Sequence, residues 1–585
     1  MDPLESELVA AVSREKLWET NSQIAQWVRL SGSADERKAV DYLRSVLDSY
    51  GLHTTFLEHP ALISYPLESR LELIGPAAET LCAYTCLGHA YSASTDRLEA
   101  EVADIMAGDE VALSATDVRG KIVLVDGLAT PVAVYEAERA GAAGLIFVND
   151  DHLHNMIVST IWGTPTPQSA ERIPQVPAVS ITSADGRDLR SRLAVGTQTA
   201  RLHTQVFMAW QTTPILIAEL EGRHSNEFVL FSGHQDSWHE GAMDNGSANA
   251  TMLEVARLLA TRKSDLYRGL RVVFWSGHSH GRYSGSTWYV DNHWEELNER
   301  CVAHVNVDST GARGATYYGS FPAHAELGAF GAAIVQAHTG QQAQPKRMSR
   351  AGDMSFNGAG IPAMFMSLSQ VPVTPDDSEG VSASFSRMLG GKMPWWWHTS
   401  EDTIDKVDID VLQLDTRVYG STLWRLCHVP LLPMDFRPVI TDLRAELAGL
   451  QQAAGQLFDL GAALSRTDQL ATEVSRLAEL AARAATPHEI TDVNRRLIAL
   501  SRILIPITYT ESGRFDHDPA WAIPHLPNLQ GLHKLRTLPA DSSAYHFLRT
   551  QLVRNYNALR FALRQALDIC TDTSSTSEEI LWSPS

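Results

Sequence analysis

The spacing of apolar residues first predicts helices in the N-terminal part of the chain. Between residues 5 and 56 the apolar positions recur every three or four residues, as expected for amphipathic helices. In the second of these helices Val40, Leu43 and Leu47 form one apolar stripe, and Gly51 is a typical terminating residue. We expect this region to serve as scaffold.

A different pattern follows between residues 57 and 205. Short apolar runs alternate with turn residues, which predicts a β-rich unit inserted into the fold. Its predicted strands lie at 120–127, 144–148 and 176–181, with a helix at 131–141. No cluster of His, Asp and Glu residues stands out there, so we expect the insertion to form a lid or a wall that shapes the substrate site.

From Pro214 onward, strands and helices are predicted to alternate. The predicted strands are 215–220, 228–231, 270–275, 302–307 and 361–366, and the predicted helices are 247–262, 285–299 and 323–339. The first two strands are expected to be neighbours. The alternation predicts an α/β domain with a mostly parallel sheet and helices on both faces.

The last part of the chain is predicted to be helical. Leu and Ala recur at helical spacing over 440–484, 487–505 and 541–569, and the polar stretch 571–585 is expected to be disordered. The predicted regions are N-terminal helices at 1–56, the insertion at 57–205, the α/β domain at 206–433 and a C-terminal helical domain at 434–585.

Composition narrows the class of protein. A chain of 585 residues with 44% hydrophobic and 20% charged residues is typical of a multidomain globular protein. Its net charge of −21 argues against a nucleic-acid partner. The N-terminal residues have no basic region followed by an apolar one, and no apolar run reaches the ~20 residues that span a bilayer. We therefore expect neither a signal peptide nor a membrane partner.

The cysteine content points to a reducing compartment. The chain has five cysteines, an odd and small number, and most are far apart in the sequence. Cys82 and Cys86 lie four residues apart without a second such pair, so a zinc ribbon is not expected. Reduced thiols in the cytoplasm are the simplest interpretation.

Candidate chemistry is concentrated between residues 228 and 310. Apolar runs there stop at His234, at the loop Ser276–Gly281 and at Asp308, each beside Gly or Ser. In open α/β sheets, ligand groups lie where strands end at their carboxyl side. Distant strand ends can therefore converge on one metal ion.

A set of four residues has the right chemistry for such an ion. Zinc-like ions bind imidazole nitrogen and carboxylate oxygen, which His234, Asp244, Asp308 and His398 provide. Asp236, two residues after His234, would face the same way and could fix the tautomer of that imidazole. Each residue alone has an ordinary structural interpretation, but the combination favours a metal site.

The order of these segments resembles the family of zinc aminopeptidases, glutamate carboxypeptidases and the transferrin receptor. The matching segments are 233–238, 241–247, 285–288, 306–308, 352–356 and 398–403. The resemblance covers nearly the whole chain. It implies a zinc aminopeptidase-like α/β fold, a protease-associated domain at 57–205 and a dimerisation domain at 434–585, hence a homodimer.

The resemblance also implies roles for the candidate residues. His234 and Asp308 would bind one metal ion, Asp244 would bridge two ions, and His398 would bind the second. Asp236 would orient His234.

The loop after the third predicted strand departs from the family. Members of the family place two adjacent glutamates there: the first is the general base and the second a metal ligand. This chain has no carboxylate between Ser276 and Gly285. Alignment on Phe274-Trp275 puts His278 at the base position and Ser279 at the ligand position. Alignment on Gly285-Ser286 instead puts Ser279 at the base position and His280 at the ligand position, and both remain open.

The missing carboxylates change the expected metal chemistry. Two nearby divalent ions repel each other, and fewer anionic ligands offset that repulsion, so the second ion is expected to bind more weakly. We expect one or two ions, zinc in the first place, with Fe, Mn or Ni as alternatives. A histidine can also act as a general base near neutral pH.

These features predict a metal-dependent hydrolase of an amide or related C–N bond in a small molecule or short peptide, without ordinary aminopeptidase activity. The alternatives are a lyase-like metalloenzyme on the same scaffold and a non-catalytic homologue. Arg282 is a candidate for binding a substrate carboxylate. The run Trp395–Trp397 could form an apolar wall.

Overall fold

The fold is that of a computed structural model, which describes residues 2–106, 113, 115–365, 368, 370–374 and 390–571. Residue 366 of the last predicted strand and the predicted disordered stretch 572–585 lie outside the described residues.

The described strands form one 14-stranded sheet that runs through the α/β domain and the insertion. They are β1 (His53–Ile74), β2 (Thr80–Tyr84), β3 (Leu87–Gly88), β4 (Thr95–Met106), β5 (Ile122–Asp126), β6 (Gly144–Val148), β7 (Ala178–Ile181), β8 (Thr199–Leu220), β9 (Phe228–His234), β10 (Gly269–Trp275), β11 (Cys301–Asn306), β12 (Ser320–Ala323), β13 (Gln344–Arg347) and β14 (Ala363–Phe365).

Helices cover this sheet and form the C-terminal region. They are α1 (Pro3–Ala10), α2 (Arg14–Ile24), α3 (Ala34–Ser49), α4 (Pro131–Arg139), α5 (Ser183–Leu193), α6 (Ala248–Thr261), α7 (Ser284–Asn292), α8 (Trp294–Arg300), α9 (Ala325–Thr339), α10 (Ile409–His428), α11 (Arg437–Ala454), α12 (Gly461–Arg483), α13 (Pro487–Tyr509), α14 (Leu532–Leu535) and α15 (Ser543–Thr571).

The centre of the sheet is parallel, as predicted. The strand order there is β13-β12-β14-β11-β9-β10-β8, and β9 pairs in parallel with both β10 and β11. The strands β9, β10 and β11 are buried over their whole length, which is typical of strands covered on both faces. The predicted α/β architecture, with a β-rich insertion and a helical C-terminal region, is confirmed.

Two long strands connect the α/β domain to the insertion. β1 and β8 pair antiparallel from His53 opposite Glu219 to Ile74 opposite Thr199. One end of β8 pairs with β10, and the other end pairs with β4 of the insertion. The insertion therefore continues the hydrogen-bonded sheet.

Three element predictions need correction. The strands predicted at 215–220 and 228–231 are not neighbours, because β10 lies between them and pairs antiparallel with β8 and parallel with β9. The helix predicted at 285–299 is divided at His293 into α7 and α8. The N-terminal helical region ends before residue 53, where β1 begins.

The C-terminal helices pack on the α/β domain within one hydrophobic core. Leu443 of α11, Leu470 of α12 and Leu497 of α13 belong to the same buried cluster as Val272 of the central sheet. None of the described helices is long and apolar enough to cross a membrane.

Candidate metal centre

Three parallel strands bring their carboxyl ends to one edge of the sheet. β9 ends at His234, which lies opposite Trp275 at the end of β10. β11 ends at Asn306, two residues before Asp308. Because parallel strands end at the same edge, His234, the loop after Trp275 and Asp308 converge there.

Asp244 and His398 complete the cluster from two other segments. Nε2 of His234 lies 3.1 Å from Oδ1 of Asp244 and 3.4 Å from Oδ1 of Asp308. The second oxygen of Asp244, Oδ2, lies 3.0 Å from Nε2 of His398. The structure thus brings the four residues together, with Asp244 between the two imidazoles.

The cluster contains buried polar atoms whose hydrogen-bonding capacity is unused. Nε2 of His234 and Oδ1 of Asp244 are buried, and neither meets the geometry of a hydrogen bond with the described residues. Ligand atoms of His234, His278 and Asp308 lie within 4.8 Å of one another. Imidazole nitrogens and carboxylate oxygens that face one point form a donor set suited to a zinc-like cation.

His234 is oriented mainly by the main chain. Its Nδ1 lies 2.9 Å from the main-chain oxygen of Asp236, whereas the Asp236 carboxylate is 3.6 Å away. The sequence alone predicts this role for the Asp236 carboxylate, and the structure gives it to the main-chain oxygen of the same residue. Either partner leaves Nε2 facing the cluster. Burial disfavours a charged imidazole, but the carboxylates of Asp308, Asp236 and Asp244 outweigh it and raise the pKa of His234. Burial raises the pKa of Asp244, but the hydrogen bonds and charges of His234 and His398 outweigh it and hold this pKa below its usual range.

The loop after β10 turns back tightly. The N–H of Tyr283 donates to the main-chain oxygen of His278 at 2.9 Å, and the N–H of Ser284 donates to that of Gly277 at 3.1 Å. Gly277 has φ +71°, and a Cβ atom there would lie 2.0 Å from Oγ of Ser284. Only glycine fits this position, and the turn directs the next residue, His278, at the cluster.

His278 lies against the metal-ligand candidates. Its ring stacks on that of His234 with centroids 3.8 Å apart. Its Nδ1 lies 2.9 Å from Oδ2 of Asp353, a buried residue from the segment before β14. With Nδ1 occupied by Asp353, Nε2 is the nitrogen left for the cluster.

His280, which the sequence predicted as a metal ligand, lies behind the cluster. Its Nδ1 is 3.1 Å from Oγ of Ser31 and 3.4 Å from Oδ2 of Asp236, and its ring packs against Trp238. The turn of the loop directs this side chain toward the N-terminal segment. Ser279 is buried, and no hydrogen bond joins its hydroxyl to the described residues.

Two domains of the chain match known families. Residues 216–420 match Peptidase family M28, and residues 76–189 match the PA domain. The α/β domain is thus the part of the chain that resembles peptidase family M28. The family resemblance predicted from the motifs is thereby confirmed.

Similar proteins include peptidases of several kinds. Leucine aminopeptidase 2 of Arthroderma otae is 23% identical over 412 residues, which cover 66% of this chain and 78% of that protein. Aminopeptidase NAALADL1 of Mus musculus is 26% identical over 355 residues, covering 55% and 46%. Carboxypeptidase Q of Bos taurus is 26% identical over 275 residues, covering 45% and 57%. The chain thus spans about half the length of the second and third relatives.

Solved structures share the fold. The aminopeptidase from Aneurinibacillus sp. strain AM-1 superposes with a TM-score of 0.54 at 23% identity, covering 72% of this chain and 96% of that chain. A peptidase M28 precursor from Shewanella amazonensis SB2B gives a TM-score of 0.56 at 18% identity, covering 73% and 97%.

Sequence reasoning missed two buried residues that support the candidate site. Arg29 is fully buried and donates to the main-chain oxygens of Gln235, Glu240 and Gly241 at 2.8, 2.8 and 2.9 Å. Glu36 accepts hydrogen bonds from the side chains of Gln235 and Ser276. No motif marks Arg29, and Glu36 follows Ser33 at the spacing of an ordinary helix cap, so the sequence signals neither.

Asp402 lies in one of the matching segments, but the sequence alone gives it no role. Its two carboxylate oxygens accept from the N–H groups of Met243 and Asp244, each at 2.9 Å. Burial and the charge of Asp244 raise the pKa of Asp402 to about 7. Asp402 thus fixes the turn that presents the Asp244 carboxylate to the cluster.

The PA domain forms one wall of the site. The main-chain oxygen of Asn155 lies 2.7 Å from Nδ1 of His398, and the N–H of Asn155 donates to the main-chain oxygen of His398 at 2.9 Å. Nδ1 of His154 lies 2.6 Å from the main-chain oxygen of Trp397. The insertion therefore positions His398, and its Nε2 faces Asp244.

The three tryptophans of 395–397 have different surroundings. Trp397 stacks on the His398 ring with centroids 3.5 Å apart, and Trp396 is buried in the core. Trp395 is 44% exposed and stacks on His152. Only Trp395 presents a large face to solvent, so the predicted apolar wall is reduced to this ring.

Several residues at the site have left-handed backbone conformations. His398, Arg282, Tyr283 and Ser309 have φ values of 59°, 53°, 65° and 48°. Each such conformation costs about 1 kcal/mol for a residue with a side chain. Strained backbone held in place by its surroundings is a feature of binding and catalytic sites.

Proposed function

We propose that the protein is a metal-dependent hydrolase that cleaves an amide or related C–N bond in a small molecule or short peptide. The observation that supports this most is the pair of buried, unsatisfied atoms, Nε2 of His234 and Oδ1 of Asp244, beside Asp308. The names of the relatives, a leucine aminopeptidase and a carboxypeptidase, favour hydrolysis at a C–N bond.

The proposed cofactor is a divalent transition metal, with zinc first. His234, Asp244 and Asp308 would hold one ion, which leaves a position open as in catalytic zinc sites. His398 and the second oxygen of Asp244 would hold another, weaker one, because the altered loop supplies no carboxylate. When bound, such an ion polarises a carbonyl group and lowers the pKa of water.

The proposed general base is His278, in place of the glutamate expected from the family. The Asp353 carboxylate accepts a hydrogen bond from Nδ1–H of His278, so Nε2 carries the lone pair. That nitrogen can accept a proton from the attacking water and return it to the leaving nitrogen. Asp353 holds the ring in this orientation throughout.

The experiment combines metal analysis with substrate screening. Purified protein is expected to carry metal and to hydrolyse members of a panel of dipeptides and N-acyl amino acids, with oxygen from labelled water in the acid product. Asp244→Asn should lose both metal and activity, whereas Asp541→Asn, at an exposed C-terminal position, should keep both. A metal-loaded protein inert to the whole panel would contradict the proposal.

Two other outcomes correspond to other functions. Product formed without incorporation of labelled oxygen would indicate a lyase-like metalloenzyme. A well-folded protein without stoichiometric metal would indicate a non-catalytic homologue.

We also propose a cytoplasmic homodimer. The described cysteines are all free thiols, and the C-terminal helices expose Leu480, Phe547 and Phe561. Exposed apolar side chains can contribute to an interface between copies. Light scattering is expected to give twice the monomer mass, and a monomer mass would exclude the dimer.

A further inference from the structure

Two arginines lie beside the candidate site: Arg282 is buried and Arg350 is partly buried. Arg282 is 4% exposed, and its guanidinium lies 5.8 Å from the ring centre of Trp162. The guanidinium of Arg350 lies 3.8 Å from the same ring. Neither arginine forms an ion pair with a carboxylate of the described residues, which is unusual because buried charges are normally paired.

The hydrogen bonds of Arg282 leave most of its donors unused. A guanidinium has five N–H donors. Within the described part of the chain, the Arg282 guanidinium donates one hydrogen bond, from Nε to the main-chain oxygen of Ile161 at 3.1 Å. Arg350 donates to the main-chain oxygens of Met354 and Asp518, while its buried Nε has no partner there.

Other buried arginines of this protein are satisfied differently. Arg29 donates to five main-chain oxygens around the metal-ligand loop. Arg502 donates to the main-chain oxygens of Asn298, Gly360 and Cys301. The hydrogen bonds of Arg29 and Arg502 thus account for a structural role, whereas the Arg282 guanidinium has further N–H groups available for a ligand.

The electrostatic environment also favours an anion. Burial lowers the pKa of Arg282, and it lowers the pKa of Arg350 to about 10. The positive charge of Arg282 further disfavours the charged form of Arg350. Two guanidiniums close to one indole repel each other. A bound carboxylate would relieve this repulsion and accept the unused N–H groups.

The arginine pair is connected to the candidate site by aromatic contacts. The Tyr283 ring stacks on Trp162 with centroids 3.8 Å apart. The same Tyr283 ring makes a T-shaped contact with the imidazole of His278, with ring centroids 4.7 Å apart. An anion bound at the arginines would therefore be separated from the proposed general base by one aromatic ring.

We propose that Arg282 and Arg350, together with the Trp162 ring that both approach, form a subsite that binds a carboxylate of the substrate. This deepens the proposed function and rests on it, since it names the substrate class as an amide that carries a free carboxylate near the bond cleaved. N-acyl amino acids and the C-terminal ends of short peptides have this chemistry.

The kinetic test compares substrates that differ only in the carboxylate. Cleavage of an N-acyl amino acid is expected to exceed that of its methyl ester. Arg282→Met should raise KM for the acid by about 10- to 100-fold, as for the loss of a charge-assisted contact, and leave the ester unaffected. Arg282→Lys should recover part of the loss, and Arg554→Met, at an exposed position, should change neither substrate. Equal cleavage of acid and ester, or an equal effect of Arg282→Met on both, would overturn the subsite.

A binding test separates this inference from the proposed function. Benzoate and benzamide have similar shapes and differ in charge. Benzoate, but not benzamide, is expected to bind the holoprotein by calorimetry, and Arg282→Met should abolish that binding. Hydrolysis of amides without Arg282-dependent binding of benzoate would refute the subsite alone. Arg282-dependent binding of benzoate in a protein that hydrolyses no amide would refute the proposed function alone.

Discussion

Oδ2 of Asp353 lies 2.9 Å from Nδ1 of His278, so a carboxylate from a distant segment reaches the loop that contains none. Asp353 is buried, and its second oxygen has no hydrogen-bond partner among the described residues. Asp353 therefore places a negative charge beside the histidine of the altered loop. A carboxylate that orients an imidazole in this way supports a role for the imidazole as a general base.

Asp353→Asn should lower kcat by about 10- to 100-fold while KM stays close to that of the wild type. The amide can hold the imidazole but favours the wrong tautomer, with the proton on Nε2. Steady-state kinetics as a function of pH measures this effect. Unchanged kcat with an unchanged pH profile would show that Asp353 only fills space.

His278→Ala should lower kcat by about 10²- to 10⁴-fold and leave the metal content intact if the residue is the base. Elemental analysis beside kinetics separates this role from that of a ligand, because removal of a ligand would also remove the ion. His546→Ala, at an exposed position in α15, is the matched control and should alter neither quantity.

The buried carboxyl group of Glu326 is expected to make the stability of the protein depend on pH, independently of the metal. Burial raises the pKa of this carboxyl group to about 7, above the value near 4.5 expected in the unfolded chain. The folded state therefore binds the proton more tightly, and the free energy of unfolding should decrease as the pH rises from about 4.5 to 7, by up to about 3 kcal/mol.

Glu326→Gln tests this dependence because the amide stays neutral. Urea unfolding should show a flatter profile between pH 5 and 8 for this variant than for the wild type. Glu479→Gln, at an exposed position in α12, should leave the profile unchanged. Parallel profiles for Glu326→Gln and the wild type would contradict the assignment.

Gly277→Ala tests the turn that directs His278. The new Cβ atom would meet Oγ of Ser284, in addition to the cost of the left-handed backbone. Gly340 has nearly the same φ, +73°, but a Cβ atom added there would have no neighbour within 4 Å, so Gly340→Ala isolates the backbone cost of about 1 kcal/mol. Thermal unfolding and kinetics should show a larger loss of stability for Gly277→Ala, and a loss of activity for this variant alone.

Much of the fold could be predicted because its signals are local. The strand at Gly144–Val148 and the helix that begins after Ser33 follow directly from apolar runs and capping residues. The order of strands could not, since the position of β10 between β8 and β9 depends on how connections cross the sheet. The break between α7 and α8 at His293 could not be predicted either, because the helical sequence pattern continues through this residue.

In the site, too, locally encoded features could be predicted and tertiary ones could not. His234, Asp244, Asp308 and His398 could be found because each lies in a recognisable segment. The direction of His278 and His280 could not, because it depends on a tight turn whose hydrogen bonds are invisible in the sequence. Arg29 was missed since its role consists of contacts with main-chain oxygens, which any sequence could provide.

The contact between Asn155 and His398 sets a limit on engineering this protein. A trimmed version consisting of the α/β portion would retain every candidate ligand yet lose the carbonyl that aims one of them. Shortening the insertion for expression or crystallisation would thus disturb the chemistry across the seam between the two parts, so grafts between relatives should exchange both parts together.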